Sequence, residues 1–298
     1  MALTPNIDVG SANLTPTIND IYGMVETIAR QVIRGVKSTN PLEIFSKGTI
    51  DRGTIIQDVL VGLAEKYAFD KNAVDQLVAN DPELAIRYYD DWTAGQYETT
   101  VRDDEIRKVV IGSTSKEEIA ERIVGSLTES DGHDQFLALK AVLNKFSTDY
   151  STPAGKPANT TDLLTLVRNV IDSMTFVNST YSPAGIETRT SIEDIYILMP
   201  YNVRNKIDVE TLAQVFNLEK AEMISRIIPI DTKDSKVYIC DRNAVFHYNR
   251  LKEMTSVYNA KARYMNYFYT TDDLYGYSGL FKMTWIDATE IVPAEEQA

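Results

Sequence analysis

Most of what would announce an enzyme or a membrane protein is missing from this chain. One cysteine, Cys240, occurs in 298 residues, which excludes an intramolecular disulfide and a multi-thiolate metal site and fits a reducing compartment. Histidine appears twice, at His133 and His247, so a nucleophile has few places to find a base. No apolar run approaches the roughly 20 residues a helix needs to cross a bilayer. The first sixteen residues lack the basic and apolar regions of a secretory signal. Basic side chains are outnumbered, 30 Lys and Arg against 43 Asp and Glu, for a net charge of −13. Such a chain repels phosphate backbones as a whole, which argues against a nucleic-acid reader. The local exception is Arg30, Arg34 and Lys37, read as a solvated helix face.

What is present is enough for a large core. A chain of this length buries about 75% of the surface its unfolded form exposes, in one large domain or two to three smaller ones. Residues 257–286 are the most distinctive stretch. Two runs there, 260–269 and 279–286, are rich in Tyr, Phe, Trp and Thr and predict strands separated by Thr-Thr-Asp-Asp and Tyr-Gly-Tyr. Phe281, Met283 and Trp285 alternate with Lys282 and Thr284, giving one bulky apolar face. The first run is apolar on both parities, as in a sheet packed on one side and covered by a neighbour on the other. An ordinary antiparallel sheet closing a single-chain core fits the stretch equally well.

Upstream, residues 1–16 read as an extended arm. Ile21, Val25, Ile28, Ala29, Val32 and Ile33 follow at helical spacing, tethered through Ser38-Thr-Asn-Pro41. Residues 84–89 and 96–101 have strand composition, and Asp90-Asp-Trp-Thr-Ala-Gly95 between them predicts a hairpin tip. A hairpin this polar, tipped by Trp92, has either to lie on a sheet or to reach a neighbour. Residues 113–146 are helical from a capping box at Ser115-Lys-Glu-Glu118, with an interruption at Ser130-Asp-Gly-His133. After a loop at 151–161, Asp162 is expected to cap a helix carrying Leu163, Leu166, Val167, Val170, Ile171 and Met174. The pattern then turns α/β: a fully apolar strand at 194–199, a helix at 209–216, short strands at 226–230 and 236–240, and a helical turn or strand at 243–248.

A search for chemistry returns little. His247 and Cys240 are seven residues apart, but Val-Phe-His-Tyr is a packing context. No phosphate-binding glycine loop is present; Ser46-Lys-Gly-Thr49 lacks its first glycine and its helix. Of the paired carboxylates, only Asp272 and Asp273 lie among aromatics, as a glycan-cleaving site would need. No catalytic, cofactor-binding or metal-ligating residue is assigned.

The order of these segments resembles the major capsid proteins of tailed bacteriophages with the Hong Kong 97-type fold. Asp81-Pro82 through Gln96-Tyr97-Glu-Thr-Thr100-Val101 looks like the extended E-loop hairpin of that family. Gly125-Ser-Leu-Thr-Glu-Ser130-Asp with Asp134-Gln-Phe136 and Lys140 is similar to its peripheral-domain helix. Ile192-Glu-Asp-Ile-Tyr-Ile-Leu-Met-Pro200, Ile227-Ile-Pro-Ile-Asp231 and Tyr238-Ile-Cys-Asp241 look like its axial domain, and 257–286 like the returning peripheral strands.

The resemblance implies an α+β fold with an N-terminal arm (1–60), E-loop region (61–110), helical first part of the peripheral domain (111–160), axial domain (161–250) and second peripheral part (251–298). It implies a non-enzymatic shell subunit that self-assembles as pentamers and hexamers around double-stranded DNA held non-specifically. A separate scaffolding protein and a portal are the other expected partners, with no membrane and no cofactor. The expected location is the virion, assembled in the host bacterial cytoplasm. Expected subunit-interface residues are Ile21, Val25, Ile28, Tyr88, Trp92, Tyr97, Arg102, Tyr267, Tyr277 and Trp285. Two other readings stay open: an encapsulin-like or minor head shell protein, and a soluble glycan-acting enzyme.

Overall fold

The structure is a computed structural model, and it describes residues 39–64, 66, 81, 83–102, 116–207, 226–231 and 235–291. In chain order the elements are β1 (Ser46–Thr49), β2 (Ile56–Val61), β3 (Leu84–Tyr89), β4 (Trp92–Arg102), α1 (Lys116–Asp149), α2 (Thr160–Thr175), β5 (Ile195–Pro200), α3 (Tyr201–Asn205), β6 (Ile227–Ile230), β7 (Lys236–Asp241), β8 (Val245–Asn259), β9 (Tyr264–Tyr277) and β10 (Met283–Asp287). The strands form sheets ordered β1-β8-β9-β4 and β10-β7-β5-β6, with β2-β3 as a separate two-stranded ribbon. Two compact units result. The larger holds Ser38–Gln96, Ser130–Glu253 and Thr270–Ala298; the smaller includes Tyr97–Glu129 and Met254–Tyr269.

In the larger unit the β10-β7-β5-β6 sheet is buried on both faces, which is why its strands read as continuous apolar runs. Ile195, Ile197, Met199, Val237, Ile239 and Ile286 pack against Leu163, Val167, Val170 and Met174 of α2. The alternate residues Leu198, Tyr238, Cys240, Met283 and Trp285 pack against Leu139, Leu143 and Phe146 of α1. The period of two along each strand thus divides one sheet between two helices. Met283 and Trp285 of β10 thus pack on the C-terminal half of α1.

Four sequence expectations are corrected. The helix cap is Asn159, whose Oδ1 accepts from Asp162 N at 2.8 Å while its Nδ2 donates to the Asp162 carboxylate at 2.9 Å; Asp162 is the return half of the cap. The expected interruption at 130–133 lies inside α1. There Asp131 accepts from Gln135 Nε2 one turn on, at 2.8 Å, and pairs with Lys252 at 3.3 Å, so its carboxylate does not turn the chain. The expected hairpin of 84–89 with 96–101 does not form: β3 pairs with β2, β4 pairs with β9, and Trp92 opens β4 instead of tipping a turn. Finally, Thr270–Asp273 is strand, not separator, and the turn falls earlier, at residues 260–263, where Arg263 takes a positive φ of 53°. The arm and the expected helix at 209–216 lie outside the described residues.

Candidate functional site

The ribbon is the least self-sufficient part of the larger unit. Its register sets Val61 opposite Leu84, Val59 opposite Ile86 and Gln57 opposite Tyr88. Those positions share one face because side chains alternate along each strand. On that face Val59, Val61, Leu84, Ile86 and Tyr88 are all exposed, by 45 to 65%. The other face is anchored: Ile56 is buried with Phe246 and Leu274, and Tyr89 packs its ring 4.6 Å from that of Phe246. Tyr89 Oη also donates to Ser278 Oγ at 3.2 Å. One side of the ribbon is held and the other is presented. Contiguous exposed apolar area of this kind marks an interaction surface, whereas scattered apolar residues do not.

Beneath it, β8 and β9 carry titratable pairs. His247 Nε2 hydrogen-bonds Asp273 Oδ1 at 2.8 Å, with both side chains buried. Arg250 Nε donates to Asp272 Oδ2 at 2.6 Å, and its guanidinium lies 4.4 Å from the centre of the Trp92 ring. As neighbours in a strand, Asp272 and Asp273 point to opposite sides. They do not flank a common space, which removes the observation that favoured a glycan-cleaving site. Cys240 is buried in the core, and burial, then the neighbouring Asp241, push its thiol well above the ordinary range. It is a packing group, not a thiolate nucleophile. Near β1, Asp241 has its carboxyl pushed up by burial. Lys47 is pushed down by burial and by Arg242, and donates to Asn243 Oδ1 at 2.7 Å. Among the described residues no group of three or more His, Cys, Asp or Glu side chains could hold a metal ion, and no helix is long and apolar enough to cross a membrane.

The expected interface residues fall in different settings. Tyr88 stands on the exposed ribbon face and Arg102 is exposed at the end of β4. Tyr97 and Tyr267 are half-buried, with the Tyr97 ring 6.2 Å from that of Tyr269. Tyr277 is half-buried and donates its hydroxyl to Asp149 Oδ2 at 2.6 Å. Trp92 is half-buried under Arg250. Trp285 is corrected to a core residue: it is 7% exposed, and its Nε1 donates to Tyr150 O at 2.8 Å. Ile21, Val25 and Ile28 lie outside the described residues. Sequence reasoning missed Val59, Val61, Leu84 and Ile86 as a set. Their signal in the sequence is the apolar segment Ile55–Leu63.

A two-layered core around a mixed sheet, a long helix and a separate two-stranded ribbon define a capsid-protein fold of the Hong Kong 97 type. The chain aligns over 87% of its length with 87% of a chain in the capsid structure of Staphylococcus phage Andhra, with a TM-score of 0.71 at 12% identity. It covers 93% of itself and 99% of a chain in the capsid structure of Cyanophage P-SCSP1u, with a TM-score of 0.61 at 13% identity. At such identities the likeness is one of fold. The sequence narrows it: the Phi29-like phage major capsid protein family matches residues 5–284, and the chain belongs to that family. A major capsid protein of Bacillus phage GA-1 is 28% identical over 263 residues, 83% of this chain and 56% of that protein. One from Streptococcus phage Cp-1 is 25% identical over 281 residues, 83% of this chain and 76% of that protein. The chain therefore spans little more than half the length of the Bacillus phage relative.

Proposed function

We propose that this chain is the shell-forming subunit of a tailed-phage head and does no chemistry of its own. Copies assemble as pentamers and hexamers into an icosahedral shell around double-stranded DNA, with a separate scaffolding protein and a portal, in the bacterial cytoplasm. The observation that carries the reading is the β2-β3 ribbon. A two-stranded ribbon is marginal in water by itself, and this one shows solvent the paired side chains Val59 and Ile86, Val61 and Leu84. A second copy laid on that face would bury them, and head-to-tail contacts between unlike surfaces close into rings. On this proposal the docking element of the subunit is β2 with β3, where the sequence reading paired 84–89 with 96–101 instead. An acid-rich wall with a net charge of −13 also suits a container that must not hold its nucleic acid fast.

The test is expression of the chain alone and with phage head genes, followed by sedimentation and negative-stain microscopy. Shells or capsomer rings are expected. Val59→Asp and Ile86→Asp should prevent their formation while the subunit keeps its far-UV circular dichroism. A 33.5 kDa monomer that never associates, under either condition, would sink the reading. Particles filled with protein instead of nucleic acid would move it to an encapsulin-like compartment.

A further inference from the structure

We infer that the loop after α2 forms the second half of the docking surface, and that a neighbouring copy of this chain seats an apolar segment in the groove between that loop and the end of β2. The inference rests on the shell reading above and extends it to residues that the ribbon does not contain.

The groove encloses about 220 Å³; Val61, Leu63, Val177 and Phe281 supply most of its apolar lining, and Glu187 and Arg189 are among its polar lining residues. Val61 belongs to both the ribbon face and the groove, so the two apolar surfaces are continuous. Val61, Leu63 and Val177 are 61, 66 and 49% exposed, and Phe176 beside the groove is 68% exposed. Such exposure in a loose loop would mean little. This loop is pinned.

Lys282, completely buried, forms part of the groove lining. Its ammonium donates to Phe176 O at 2.9 Å and Asn178 Oδ1 at 2.8 Å, and at 3.4 Å to Ser173 O and Met174 O at the end of α2. Asn178 is clamped further, exchanging backbone hydrogen bonds with Thr188. The polar groups on either side of Val177 are thus turned inward onto a buried cation, which leaves the Val177 side chain facing solvent in a fixed position. A loop that commits a buried lysine to holding apolar side chains outward is pre-organised for an apolar partner. The partner is taken as a second copy because the chain belongs to a family of major capsid proteins and Val61 joins the groove to the ribbon face.

The test uses the buried position of the single native cysteine, Cys240, which leaves an introduced thiol as the reactive one. Val177→Cys and Leu63→Cys, both lining the groove, are labelled with a maleimide in free subunits and in purified particles. Labelling at least ten-fold slower in particles is expected at both positions. Intact particles in which both thiols react as fast as in free subunits would overturn the inference and leave the shell reading standing. If the unmodified chain forms no particles, the shell reading fails first and this inference with it.

Discussion

The imidazole of His247 lies flat on the ring of Tyr275, with centroids 4.6 Å apart and planes inclined by 8°, while its Nε2 reaches Asp273 at 2.8 Å. Both members of the pair are buried, so the two ways of breaking it are unequal. His247→Phe keeps a ring on Tyr275 but strands a carboxylate in the core, and is expected to cost about 3 kcal/mol. Asp273→Asn keeps an acceptor for the imidazole and is expected to cost about 1 kcal/mol. Urea denaturation of the two variants checks the order. A larger loss for Asp273→Asn would show that the pair is not what holds the carboxylate there.

A second pair on the same strands behaves as a three-part unit. Arg250 is gripped by Asp272 and covered by Trp92, and both contacts use the planar guanidinium that lysine lacks. Arg250→Met should cost about 3 kcal/mol because Asp272 is left mostly buried without its ion-pair partner. Adding Asp272→Asn should recover part of that loss, giving a coupling of about 1–2 kcal/mol in a double-mutant cycle. Simple additivity would mean that the ion pair contributes nothing. Trp92→Ala should likewise destabilise the subunit, where a hairpin-tip tryptophan would affect assembly alone.

These same residues show where the sequence was legible. The sheet of the larger unit could be read because both parities of 195–199 and 236–240 are apolar, a pattern that only two-sided burial explains. The run from Thr270 to Gly276 misled because Asp and Gly ordinarily end strands. Here each carboxylate has a partner on β8, His247 or Arg250, and those partners are 26 and 22 residues away. Local propensity carries no trace of such a pairing. For the same reason β3 was matched to the wrong strand: Gln96–Val101 is nearer in sequence, but the register with 56–61 places apolar opposite apolar. Trp285 was misread as interface because an amphipathic strand looks alike whether a helix of the same chain or another subunit covers it.

Asp241 offers a stability test with a defined sign. Burial is the leading cause that raises its carboxyl above the ordinary value of 3.8, so the folded state holds this proton more tightly than the unfolded chain. Its contribution is therefore intact below about pH 3.8 and is lost as pH rises through the higher folded value. Asp241→Asn removes the charge and retains an oxygen for the Asn243 N–H, now 2.8 Å from Oδ1. The variant should melt higher than the parent at pH 7, with the gain shrinking towards pH 4. A lower melting temperature at pH 7 would mean that the attraction of Lys47 outweighs the burial.

Gly276 sits where β9 passes over the ring of Phe246, and a Cβ added there would lie 2.6 Å from Phe246 Cζ and 3.0 Å from Cε2. The ring has little room to move, since Tyr89 and Tyr248 pack 4.6 and 5.6 Å from it and it is 3% exposed. Gly276→Ala should therefore cost about 1–3 kcal/mol through overpacking. The strain should disappear when the clashing end of the ring is removed, so the same change in a Phe246→Leu background should cost less than 1 kcal/mol. Denaturant midpoints of the two single variants and the double variant decide it. An unchanged penalty in the Leu background would place the requirement for glycine in the backbone and not in the ring. The ribbon is the further readout: Tyr89, on its anchored face, packs on the same ring, so Gly276→Ala should also lower particle yield where Val59→Asp abolishes it.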